Sequence, residues 1–142
     1  MDTNKNLILK FLDERVIWRN KIDMLKQDNE HLKIRLGSII KFINGSNEDL
    51  LEKLEIFQNK LIQNDQFIRL LRDDLTNQET LLSDCLEITN TCDIQKLNDD
   101  QAKLRSELML FENGFARIAT DFKTLLEFLG DNKLYALLNS SI

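Results

Sequence analysis

Few residues of this chain are spaced for chemistry. It has a single histidine, His31, and two cysteines, Cys85 and Cys92. A metal pair in a helical-bundle core needs Glu-x-x-His motifs from two helices, and a structural zinc needs four closely spaced ligands. One histidine and two cysteines supply neither. His31 also lies off the apolar seam traced below, where a histidine is solvated. A reactive thiol wants a neighbouring cation or histidine, and only Lys96 is close in sequence. The acid pairs Asp73-Asp74 and Asp99-Asp100 diverge around a helix and do not converge on a substrate. There is no glycine-rich phosphate loop and no calcium-spaced oxygen loop. The expectation is a chain with no catalytic residue, no metal and no cofactor, and therefore not an enzyme.

Partners and setting are bounded next. The formal net charge is −5. The first third is mildly basic and the remainder carries the acidic excess, so phosphate backbones are poor ligands and no nucleic acid is expected. No apolar run reaches the length of a membrane span. The first apolar stretch, 7–12, is broken by Lys10 and followed by Asp13-Glu14-Arg15, which is not a secretory pattern. Free thiols in a reducing, cytoplasmic setting are the expectation. Asn44-Gly45-Ser46 and Asn139-Ser140-Ser141 match the glycosylation pattern, and are read as a turn and a frayed end.

The elements that must carry these residues are helical. The chain has no proline, four glycines, 30% charged and 42% hydrophobic residues, too few turn formers for a strand-rich fold. The first helix, about 7–43, repeats a seam of Ile8, Phe11, Arg15, Trp18, Ile22, Leu25, Asn29, Leu32, Leu36, Ile39 and Ile43. Asn44-Gly45 ends it, and Ser46 with Glu48 and Asp49 opens the next. The second helix, about 47–88, carries Leu50, Leu54, Phe57, Leu61, Asn64, Ile68, Leu71, Leu75, Gln78, Leu82 and Cys85. The pattern slips over 89–93. A third helix, about 93–129, carries Ile94, Leu97, Gln101, Leu104, Leu108, Phe111, Phe115, Ile118, Phe122, Leu125 and Leu129. A short helix over about 131–139, with Leu134, Tyr135, Leu137 and Leu138, is expected to cap one end.

Three stripes of equal length joined by short turns predict antiparallel neighbours in one all-α domain over 1–142: an elongated three-helix coiled-coil bundle about 54 Å long. In that register the five polar seam residues fall into two layers. Asn29 lies level with Asn64 and Phe115, and Arg15 with Gln78 and Gln101. Unpartnered, each buried polar group costs about 1–3 kcal/mol. Clustered, the groups bond one another and penalise a one-heptad slip, so Arg15, Asn29, Asn64, Gln78 and Gln101 are assigned as a register-setting polar core. The competing fold is a parallel coiled-coil homodimer, specified by Asn29 at a seam position.

The segments Glu30-His31-Leu32-Lys33-Ile34-Arg35-Leu36, Phe57-Gln58-Asn59-Lys60-Leu61-Ile62 and Leu70-Leu71-Arg72-Asp73-Asp74 resemble a group of small helical bacterial proteins without assigned activity. The resemblance covers about a third of the chain and implies a bacterial source and a cytoplasmic setting, but no function. In organisation the expected bundle also resembles a spectrin-type repeat, by architecture alone.

What remains for function is surface. Leu9, Val16, Ile17 and Met24 form an apolar strip off the seam of the first helix. Leu70, Met109 and Leu110 face outward at a similar height. Contiguous exposed apolar strips mark protein interfaces. The expected function is a structural or adaptor protein acting through helix-mediated association, with a second copy or another helical protein as partner. The alternative is a secretion-chaperone-like or regulatory module that holds a client helix.

Overall fold

The computed structural model of the chain describes residues 2–43, 48–88 and 92–130. They form three helices: α1 (Asp2–Ile43), α2 (Glu48–Glu87) and α3 (Ile94–Gly130). No strand occurs among the described residues. The architecture is an all-α three-helix bundle. Helix α1 starts about a turn earlier than its apolar stripe, because no glycine or proline interrupts the polar residues that precede Leu7. The connection before α3 carries no Gly or Pro, and the sequence signal there is the start of α3. The Asp93 carboxylate accepts a hydrogen bond from the Lys96 backbone N–H at 3.1 Å, which is an N-cap. The expected terminal helix and its cap, and both Asn-x-Ser segments, lie outside the described residues.

Every buried residue named among the core hydrophobics, and each buried polar one, sits on a seam position of the heptad pattern. Backbone proximity groups the residues into two compact units: Met1–Leu25 with Phe67–Glu112, and Lys26–Gln66 with Asn113–Ile142. Each unit takes a segment of all three helices.

In the first unit, Trp18, Ile22, Ile68, Leu71, Leu75, Leu104 and Leu108 form one apolar cluster. Ile8, Phe11, Leu82, Cys85 and Leu97 form another. Between them in sequence lies the Arg15 layer, whose guanidinium is buried. Its Nε donates to Gln101 Oε1 at 2.8 Å, one terminal nitrogen donates to the Leu75 carbonyl at 3.1 Å, and the other donates to Gln78 Oε1. Glu14 bonds Arg105, and the same 91-residue separation joins Lys21 to Glu112, so α1 and α3 run parallel here. Helix α2 runs against α1: Arg19 pairs with Glu79, and further along α1 Asp23 pairs with the earlier Arg72.

In the second unit, Leu36, Ile39, Ile43, Leu50, Leu54, Leu61 and Phe122 form the core, with Phe57 edge-on to Phe122 at 5.8 Å. The buried Asn29 accepts from Asn64 Nδ2 at 3.2 Å. Its own amide donates to the Leu61 carbonyl at 2.9 Å and to Asp65 Oδ1 at 2.7 Å. Lys33 completes the group by pairing with Asp65 and Glu30. Asn29 is thus satisfied within the chain, and a parallel partner is not needed to serve it.

Two outcomes follow. Asn29→Leu removes the group that bonds Asn64 and Asp65, and is expected to cost about 1–3 kcal/mol in urea unfolding. A cycle with Asn64→Leu should show a coupling of about 0.5 kcal/mol or more; strict additivity would contradict the pairing. Glu14 supplies the second. Its carboxyl lies below the usual carboxylate range, chiefly because it accepts hydrogen bonds from Arg105, with a further one from Gln101. A depressed carboxyl stabilises the fold above its unfolded value near 4.5 and loses that contribution as pH falls through its lower folded value. Glu14→Gln should therefore be less stable at neutral pH, by about 1 kcal/mol or less for this part-exposed group. The gap should close in acid, as read from thermal melts across pH.

Candidate functional site: an outward helix face and a disulfide

Among the described residues, no buried side-chain nitrogen or oxygen lacks a hydrogen-bond partner. No group of three or more His, Cys, Asp or Glu there is arranged to hold a metal. His31 is exposed. The most elaborate cluster surrounds Arg15. Gln101 accepts from Arg15, then donates to the Phe11 carbonyl at 3.2 Å and to Glu14 at 2.9 Å. Glu14 in turn accepts from Arg105 Nε at 2.8 Å and from one terminal Arg105 nitrogen at 2.6 Å. The guanidiniums of Arg15 and Arg105 lie 5.9 and 5.8 Å from the Trp18 ring centre. Burial pulls the Arg15 pKa down, and the charges of Glu79, Asp100 and Glu14 oppose that shift. Arg105 is raised by its bond to Glu14. These groups take one another and nearby backbone carbonyls as hydrogen-bond partners. An open groove of about 400 Å³ in the second unit is lined by Ile56, Phe57 and Leu125 together with Lys53, Lys60, Asp121 and Thr124.

The two cysteines differ from expectation. Cys85 and Cys92 are joined, with sulfurs 2.07 Å apart and Cα atoms 5.7 Å apart. They are not free thiols. Along one unbroken helix, residues seven apart stand about 10.5 Å apart. Here α2 ends at Glu87 and Cys92 lies outside it, within bridging distance of Cys85. The bond staples a connection that has no proline or glycine, and ties it to the Ile8, Phe11 and Leu97 cluster. The cytoplasmic placement expected from the cysteines rested on free thiols, and that ground is gone. No described helix is long and apolar enough to cross a membrane.

The candidate surface residues are all exposed, and all belong to the first unit. On α1, Val16 is 60%, Ile17 57% and Met24 64% exposed, with Leu9 at 44%. The ion pairs orient them. Glu14 and Lys21 reach α3 from one flank of α1, while Arg19 and Asp23 reach α2 from the other. At about 100° per residue, Asp13 and Asn20 lie on the outward crest, Leu9 and Val16 about 35–55° to its α2 side, and Ile17 and Met24 about 25–45° to its α3 side. The strip therefore straddles the crest.

The other three residues do not join it as one patch. Met109 is on the flank of α3 that carries Arg105 and Glu112, the side turned toward α1. Leu70 and Leu110 are on the opposite flanks of α2 and α3, where those two helices meet. There Phe67 stacks on Phe111 at 5.0 Å while remaining partly exposed. The expected strip is thus two surfaces: the α1 crest with Met109 beside it, and a smaller α2/α3 patch of Leu70, Leu110 and Phe67.

No family model matches the chain, no curated protein matches it, and no solved structure matches it.

The disulfide carries its own test. Closing so short a loop stabilises by about 2.5 kcal/mol in the chain-entropy account. Reduction, or Cys92→Ser, is expected to lower the melting temperature by about 5–10 °C and to speed amide exchange at the start of α3. An unchanged melt after reduction would show that the bond holds nothing.

Proposed function

We propose that this chain is a non-enzymatic structural or adaptor protein that works by helix-mediated protein–protein association, with the crest of α1 as its contact face. The observation that carries the reading is the pair Val16 and Ile17, adjacent, β-branched and each more than half exposed, on a helix whose opposite side is fully engaged in the core. Scattered exposed apolar residues are ordinary. Four of them ranged along a single crest are what an interface requires. The partner is a second copy or another helical protein.

A second reading draws on the α2/α3 patch. The partly exposed Phe67–Phe111 stack between Leu70 and Leu110 is the kind of apolar furrow that takes a client helix, as in a chaperone-like or regulatory module. The disulfide bears on setting. Such bonds persist in oxidising compartments and are opened by cytosolic thiol systems, so an oxidising environment suits this fold better than the cytoplasm.

The Val16→Asp/Ile17→Asp double variant should abolish association, as measured by sedimentation, while far-ultraviolet dichroism is unchanged. An association that survives the double variant rules out the crest. Loss on Leu70→Asp/Leu110→Asp instead would transfer the role to the furrow.

A further inference from the structure

We infer that the partner of the α1 crest is a second copy of this chain, packed antiparallel across a two-fold axis that passes between Val16 and Ile17. The inference rests on the association reading above and names its partner. It comes from the order of residues along the crest: Leu9, Asp13, Val16, Ile17, Asn20, Met24, all exposed and all within the first unit. That order is self-complementary when reversed. With the axis between Val16 and Ile17, those two residues from both copies form a central apolar layer. One step out, Asp13 of one copy faces Asn20 of the other, on both sides of the axis. A further step out, Leu9 packs beside Met24 in the same alternating fashion as the seam of an antiparallel coiled coil.

The two polar residues that interrupt the strip decide the direction. In the antiparallel register each Asp13 carboxylate accepts from the amide of the partner's Asn20, so neither is buried unmet. In a parallel register Asp13 faces Asp13, and like charges are brought together at the centre of the contact. A two-fold contact of this kind is isologous, the commonest arrangement of soluble oligomers. Met109, on the flank of α3 turned toward α1, widens the apolar rim on the Met24 side. The crest is short, so the interface is small by the standard of stable complexes, and a dimer that exchanges with monomer is expected.

Single cysteines read the geometry directly, because the native pair is oxidised and does not react with maleimides. Leu9→Cys and Met24→Cys, each alone and then mixed, are treated with a short bis-maleimide and resolved on denaturing gels. Antiparallel pairing gives a covalent dimer only in the mixture, and Ile17→Cys gives one by itself at the axis. Dimers of Leu9→Cys alone and Met24→Cys alone would show a parallel contact and overturn the inference. Absence of any cross-link in a chain that sedimentation finds dimeric would place the dimer elsewhere and overturn it too.

A second pair of variants avoids cysteine. Asn20→Asp should weaken the dimer by at least about tenfold, and adding Asp13→Asn should restore it. Failure of that rescue counts against the register. A chain that stays monomeric throughout overturns self-pairing while leaving the Val16/Ile17 test of the crest with another helical partner to stand or fall separately.

Discussion

The fold depends on the requirement that no buried polar group go unmet. Arg15 is a guanidinium with almost no exposure, and taking such a group out of water is costly unless its N–H groups find acceptors. Its acceptors come from both other helices: Gln78 and the Leu75 carbonyl on α2, and Gln101 on α3. A slip of one heptad in either neighbour would set Arg15 against Leu71 or Cys85 on α2, or against Ile94 or Leu108 on α3, none of which offers a side-chain oxygen. In the second unit Asn29 performs the same task with Asn64, Asp65 and the Leu61 carbonyl. The leucine, isoleucine and phenylalanine layers supply the bulk of the burial, but they are nearly interchangeable from one heptad to the next. The polar layers make one register better than the others.

Much of this is legible in the sequence, for a physical reason. A heptad seam has one solution for its buried face, so no seam residue with a described side chain is exposed. The pairing of Asn29 with Asn64 and of Arg15 with Gln78 and Gln101 follows from the short connections. What escaped lies beside the seam. Asp65 and Lys33, and Glu14 and Arg105, occupy flanking positions that read as ordinary solvated charge, although cross-helix flanking pairs are a regular feature of coiled coils. An acid directly after Asn64 was the available signal for Asp65. The disulfide escaped because spacing along the chain does not reveal a reversal, and Asp93 as a capping residue was the clue to where that reversal ends. The outward strip was legible residue by residue. Its division into two surfaces was not, since that depends on which flank of each helix meets which neighbour.

On the proposed reading, stability and recognition fall on opposite sides of the same helix. The inner side of α1 is committed to Ile8, Phe11, Arg15, Trp18 and Ile22, and substitutions there act on folding. The crest, with Val16 and Ile17 at its centre, contributes little to the core, so it is free to vary with a partner. The Cys85–Cys92 bond extends this economy to the end of the first unit, where a covalent tie holds a connection that turn chemistry leaves weak. The exposed apolar face of α1 is presented without any rearrangement of the core, and on the proposed reading that would keep the cost of binding low.

The most direct test of the central claim is the Arg15 side chain itself, observed by nuclear magnetic resonance in the intact protein. Its Nε–H should exchange slowly with solvent and show cross-peaks to the Gln101 side chain. Those cross-peaks should persist undiminished when labelled protein is diluted with unlabelled protein, because all partners belong to one chain. A rapidly exchanging Nε–H, or cross-peaks seen only between differently labelled molecules, would contradict an interior held in register by its own buried polar layers.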